Sequence, residues 1–217
     1  MTSAVEFWFD FSSPYAYFAA MTIESHLARF NRPIVWRPFL LGAAFKVTSM
    51  SPLSQTPLRG EYAKRDWERL AKILGLPFRL PQRHPYRSQV TARSYYWFEQ
   101  RGPTAAISFA KEAFRAYFER NVDLQITENV LEVARAFLGD PADLKELVAW
   151  LNSEAAKERL RSATSDALSR SIFGSPFFLV DGEPFWGWDR LPLLERWLEI
   201  GEWGSEFGGL PMDARTQ

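Results

Sequence analysis

Three short stretches combine residue types that can do chemistry. Ser12-Ser13-Pro14 follows an aromatic, alternating run, and serine before proline is a good helix start, with Ser13 as N-cap and Pro14 as the first helical residue. The N–H groups of a first helical turn are unpaired, and the helix dipole places about half a positive charge there. An anion set against Ser13 is therefore stabilised, and the hydroxyl adds one hydrogen bond. The plainer alternative is a helix cap and nothing more. Ser175-Pro176 precedes a second aromatic run. An X-Pro bond at such a turn is sometimes cis, which turns the preceding N–H and C=O outward; otherwise Pro176 merely opens a strand. Trp186-Gly187-Trp188-Asp189-Arg190 puts a glycine ahead of a helix start. Backbone approaches closely there, and a carboxylate with N–H groups can hold an ammonium and a carboxylate together. The alternative is a cap with tryptophans in the core.

These stretches must be positioned by regular elements. Val5 to Phe11 alternates and reads as a buried strand. Tyr15 to Phe30 carries a helix, and Ile34 to Arg37 a second short strand after Pro33. Strand, helix and strand within about thirty residues form a βαβ unit with parallel strands. From Leu58 to Arg170 the pattern is helical almost throughout: Glu61 to Leu74, Ser88 to Gln100, Thr104 to Arg120, Thr127 to Leu138, a helix capped at Asp140-Pro141 and running to Leu151, and one capped by Ser153 and running to about Ser169. Strand character returns at Ser175 to Val180. Asp181-Gly182 is a hairpin turn, and Glu183 to Trp186 the returning strand. Arg190 to Ile200 is the last helix, with Asp189 as its expected cap, and the tail after Gly201 reads as loose. The fold class is therefore α/β: a thioredoxin-like arrangement, βαβ then ββα, interrupted by an all-helical insertion. Residues 1–55 and 171–217 form the first unit and 56–170 the insertion.

Composition excludes several chemistries. The chain has no cysteine, which removes disulfides, thiolate metal ligands and thiol exchange carried by the protein itself. Two histidines, His26 and His84, make a zinc site improbable, and no metal is expected. Lysine plus arginine equals aspartate plus glutamate, 26 against 26, so no net field draws nucleic acid or an anionic membrane. No apolar run approaches the ~20 residues that span a bilayer. The start runs straight into a strand rather than a signal peptide, so a cytoplasmic location is expected. With 18 Phe and 9 Trp, large rings must line a core, a pocket or an interface.

In register, F-D-F-S-S-P-Y-A-Y near residue 10, F-G-S-P-F-F-L-V-D-G near 175 and F-W-G-W-D-R-L near 188 resemble the 2-hydroxychromene-2-carboxylate isomerase family. That family is related to kappa-class glutathione transferases and to the DsbA-like branch of thioredoxins. The resemblance spans Val5 to about Leu198, including Arg65-Asp66 and Gly75-Leu76-Pro77. It implies glutathione as cofactor, a small aromatic carboxylic acid as substrate, and a homodimer. Ser13 corresponds to the serine that hydrogen-bonds the glutathione sulfur, and Lys46 to a lysine near the tripeptide. Ser175 corresponds to the residue before a cis-proline, whose backbone pairs with the cysteinyl amide. Trp186, Gly187, Trp188 and Asp189 correspond to the loop that grips the γ-glutamyl end. The segment Arg83 to Arg87 corresponds to one lining the second-substrate pocket, which makes His84 and Arg87 candidates for substrate binding.

The sequence also departs from that pattern. Trp188 stands where a small polar residue is usual, Ser175 where an aliphatic is usual, and Met50 near a common asparagine. An asparagine expected in the pocket segment is Arg87 or missing, so the substrate itself can differ.

The implied chemistry joins the missing cysteine to the helix start. A thiol of pKa about 8.5 is a few per cent ionised at pH 7, and lowering it by about two units needs about 2.7 kcal/mol of differential stabilisation. A hydroxyl donor plus a helix terminus is of that order. The expected reaction is isomerisation through reversible addition of the glutathione thiolate, with Arg87 or Lys46 meeting a substrate carboxylate. Ser13 is not expected to be acylated, since no G-x-S-x-G elbow is present and neither histidine is tied to it by motif. The alternatives are a kappa-like transferase or peroxidase, and a non-catalytic DsbA-like binding protein.

Overall fold

A computed structural model describes residues 3–203. The expected loose tail lies outside the described residues from position 204 onward. In chain order the elements are β1 (Val5–Phe9), α1 (Pro14–Leu27), β2 (Ile34–Pro38), α2 (Leu41–Thr48), α3 (Arg59–Leu74), α4 (Gln89–Glu99) and α5 (Pro103–Phe118). They continue with α6 (Thr127–Arg135), α7 (Pro141–Asn152), α8 (Glu154–Ser169), β3 (Phe177–Val180), β4 (Glu183–Trp186) and α9 (Leu191–Ile200). The sheet order is β2-β1-β3-β4. β1 and β2 are parallel, with Phe7 opposite Trp36, and β1 and β3 are antiparallel, with Phe7 opposite Phe178. This is the thioredoxin-like α/β order, with a run of helices between the βαβ unit and the ββα unit.

Both faces of β1 are buried, which is why its alternation is aromatic on each side. Phe7 and Phe9 face α1, α4 and α5, their ring centroids 4.8 Å apart, with Trp36 4.9 Å from Phe7. Trp8 points the other way, into a smaller cluster with Phe39, Ala44, Ala167 and Phe177. Each such ring contributes roughly 1.5–3 kcal/mol on burial. Among the described residues no helix is long and apolar enough to cross a membrane.

Several boundaries differ from the sequence expectation, each for a local reason. β1 stops at Phe9, because the Asp10 carboxylate gathers the N–H groups of the following turn. The first helix tightens into a 3₁₀ turn over Ala28–Phe30, and α6 ends at Arg135. α2 was not anticipated. It has no cap of its own; Asp10 Oδ2 accepts the Leu41 N–H at 2.9 Å and Thr164 Oγ1 the Leu40 N–H at 3.2 Å, both from distant parts of the chain. The expected cap at Asp189 is corrected. Asp189 lies inside a 3₁₀ turn, Trp188–Arg190, and α9 starts after Arg190 with no side-chain cap. Pro192 fits that first turn, where its missing N–H costs nothing, so the α-helix begins later. By contrast Asp140 forms the anticipated capping box, and Ser153 caps α8.

Candidate functional site

β1 delivers Ser13 to the start of α1. Its backbone is extended (φ −89°, ψ 118°) and its Oγ accepts the Ala16 N–H at 3.2 Å, so the cap reading is correct as far as it goes. The hydroxyl does a second thing: it donates to the Ser175 carbonyl at 2.7 Å. Ser13 is only 7% exposed. Pro14 has no N–H, and the Tyr15 N–H has no partner among the described residues, so the positive end of α1 keeps an open donor beside the hydroxyl.

Ser175 and Pro176 are joined by a cis peptide bond. The Ser175 carbonyl is the acceptor for Ser13, while its side-chain oxygen accepts the Asp10 N–H at 2.8 Å. The Ser175 side chain thus ties the end of β1 to the approach to β3. Asp10 was not singled out from the sequence, yet it organises this turn. Its Oδ1 accepts from the Ser12 N–H and hydroxyl (2.9 and 2.8 Å), and its Oδ2 holds Leu41. Burial pushes its carboxyl above the usual carboxylate range, against the pull of hydrogen bonds from Ser12, Leu41 and Ser88. The available signal was an acidic residue inside an otherwise aromatic strand.

The segment after β4 lies over α1. Gly187 adopts φ 110°, its N–H bonds the Pro176 carbonyl at 3.1 Å, and a Cβ there would come within 2.5 Å of Asp189 Oδ1. The positive φ is what favours glycine there; the Asp189 carboxylate is a mobile side-chain end that could move aside. Asp189 is exposed, pairs with Arg190 at 3.4 Å, and acts electrostatically on Tyr15 in the first turn of α1. The Trp188 indole turns to α1 and donates to Thr22 Oγ1 at 3.1 Å. The Trp186 ring lies across Gly174 and packs on Phe173 at 4.8 Å. Lys46 projects from α2 and is exposed, as is Arg87 before α4; no contact joins either to Ser13.

An aromatic wall continues from the first turn. The Tyr15 hydroxyl donates to Asp66 at 2.8 Å; burial and then that carboxylate hold its proton well above the usual phenol range. Trp67 stands edge-on to both Tyr15 and His84, 5.9 Å from each. Burial lowers the His84 pKa to about 4. Its peptide bond to Pro85 is cis, which the sequence did not suggest. Tyr15, Asp66, Trp67 and Tyr117 were also not foreseen, because only the fold brings α1, α3 and α5 to the loop holding His84.

A DsbA-like thioredoxin domain matches residues 4–199. The chain belongs to the DsbA-like thioredoxin family. Over 200 residues it is 28% identical to 2-hydroxychromene-2-carboxylate isomerase of Sphingobium xenophagum, covering 91% of this chain and 99% of that protein. It is also 28% identical, over 206 residues, to glutathione S-transferase kappa 2 of Caenorhabditis elegans, covering 89% and 91%. A solved structure of 2-hydroxychromene-2-carboxylate isomerase has a TM-score of 0.79 at 25% identity, over 90% of this chain and 94% of that one. A DsbA-like chain without cysteine has no thiol of its own to place at the start of α1. What it places there is a hydroxyl and an open N–H. That pair can stabilise an anion but cannot exchange disulfides.

Proposed function

We propose that this protein is a glutathione-dependent isomerase acting on 2-hydroxychromene-2-carboxylate or a related aromatic-degradation intermediate. The observation that carries the reading is the Ser13 hydroxyl, 2.7 Å from the Ser175 carbonyl, at a helix terminus with an open N–H. A cysteinyl thiol together with its own amide fits that pair: the sulfur against Ser13 and Tyr15 N–H, the amide against the Ser175 backbone. When bound, glutathione supplies a thiolate that adds reversibly to the conjugated substrate and leaves after the new single bond has turned, so it is regenerated.

The chain's residues then divide the work. Ser13 donates its proton to the sulfur, and the α1 terminus adds its dipole. Gly187 and Asp189 offer backbone and carboxylate to the γ-glutamyl end, with Trp186 and Lys46 at its margins. Trp188 contributes backbone alone, since its indole is engaged with Thr22. His84 and Arg87 serve the second substrate. A cytoplasmic homodimer completes the reading; exposed Val47, Leu58 and Tyr62 offer apolar surface that a second copy would cover.

Equal identity to a kappa-class transferase favours one rival, in which glutathione is consumed. Calorimetry with glutathione followed by product analysis separates the outcomes. Binding with total glutathione unchanged over many turnovers supports the isomerase, stoichiometric consumption supports the transferase, and no binding at millimolar glutathione leaves a non-catalytic binding protein.

A further inference from the structure

The hydrogen bonds around Tyr117 determine which nitrogen of His84 carries its proton. The Tyr117 hydroxyl is 2.7 Å from the Arg83 carbonyl oxygen. A carbonyl cannot donate, so the one proton in that contact belongs to the phenol. The same phenol oxygen is 3.2 Å from His84 Nδ1. With its proton committed to Arg83, it can only accept there, and His84 must donate from Nδ1. Burial keeps the ring neutral, so Nε2 is an unprotonated acceptor, and it has no partner among the described residues. The imidazole lies among the rings of Trp67, Tyr117 and Phe118, with centroids 5.9, 6.2 and 6.2 Å from its own. Trp67, whose ring also packs on Tyr15, is 1% exposed, and its indole N–H is also without a partner.

We infer that His84 Nε2 is a fixed hydrogen-bond acceptor for a hydroxyl on the second substrate, and that Tyr117 is the positioning residue that sets its tautomer. This rests on the placement of the second substrate proposed above. The aromatic layer thereby selects conjugated ring compounds that carry an O–H over analogues that lack it. An imidazole free to exchange tautomers would accept and donate alike; this one accepts only.

Two measurements test the inference. The first is long-range ¹⁵N–¹H correlation on the ¹⁵N-histidine-labelled protein, which has two histidines, with His26→Asn giving the assignment. Wild type should show a protonated Nδ1 and a bare Nε2 on His84 at pH 7, and Tyr117→Phe a mixture of tautomers. The second is calorimetry of the glutathione-loaded protein with 4-hydroxybenzoate and with benzoate. The hydroxylated probe should bind about fivefold tighter, the size of one net hydrogen bond, and His84→Phe should abolish the difference. A proton on Nε2 in wild type, or equal affinity for the two probes, overturns the inference. Failure of glutathione to bind would instead remove the function proposed above, while the tautomer measurement is made without it and still decides the role of Tyr117.

Discussion

At Ser13 a single proton has two acceptors to choose between. It now lies toward the Ser175 carbonyl at 2.7 Å; a sulfur anion beside it would compete with a charge-assisted bond, roughly twice as strong as a neutral one. Ser13→Ala removes the donor and also the cap. Stability should fall by about 1–2 kcal/mol, read from urea midpoints, while turnover falls well over tenfold with glutathione still bound. Unchanged turnover would reduce Ser13 to a cap. His84 makes a separate prediction. Its pKa falls from the ordinary 6.5 to about 4 on folding, so between those values the unfolded chain takes up a proton that the folded chain refuses. The group therefore costs nothing above pH 6.5, and stability drops as pH falls below it, by up to about 1.4 kcal/mol per unit. His84→Phe should lose that slope relative to wild type between pH 7 and 5; parallel curves would contradict it. The cap at Ser13 and the close backbone approach at Gly187 were legible in the sequence because turn chemistry is local. Trp188 was legible as a departure, but its bond to Thr22 was not, since nothing in sequence tells an indole which neighbour it will meet.

The elements that position these residues divide by where their ends are satisfied. α1, α7 and α8 carry their own caps at Ser13, Asp140 and Ser153, and each start was readable. α2 has its first N–H groups held by Asp10 and Thr164 from β1 and α8, so no local signal announced it. The sequence signal places the start of α9 one residue early for the converse reason: Asp189 has the right type for a cap, but its carboxylate is turned toward Gly187 and Arg190. Asp10 is thus a joint between elements. Asp10→Ala strands the donors of Ser12 and Leu41 and should cost about 2–4 kcal/mol. Amide exchange should accelerate over residues 41–48 before it does so in α7. Uniform acceleration throughout the chain would show that Asp10 does not hold α2 in particular.

Across the whole molecule, the strand–helix order was readable from periodicity, while the continuity of the core was not. Phe7, Phe9, Tyr17, Phe98, Phe109 and Phe114 belong to one buried cluster that runs from the sheet through α1 into α4 and α5. The division into residues 1–55 with 171–217 and residues 56–170 is therefore proposed as a matter of chain topology. The shared core predicts one cooperative unfolding transition, seen coincidentally by tryptophan fluorescence and far-ultraviolet dichroism; two separated transitions would make the helical segment an independent unit. The same continuity places the aromatic wall of Tyr15, Trp67 and His84 against the start of α1, where an electrophile would have to lie to meet a bound sulfur. A crystal structure with glutathione tests that arrangement most directly. The account predicts the cysteinyl sulfur within about 3.5 Å of Ser13 Oγ, with the Ser13 hydroxyl turned from the Ser175 carbonyl and the cysteinyl amide in its place. Glutathione bound elsewhere, or with its sulfur turned away from the first turn of α1, would contradict it.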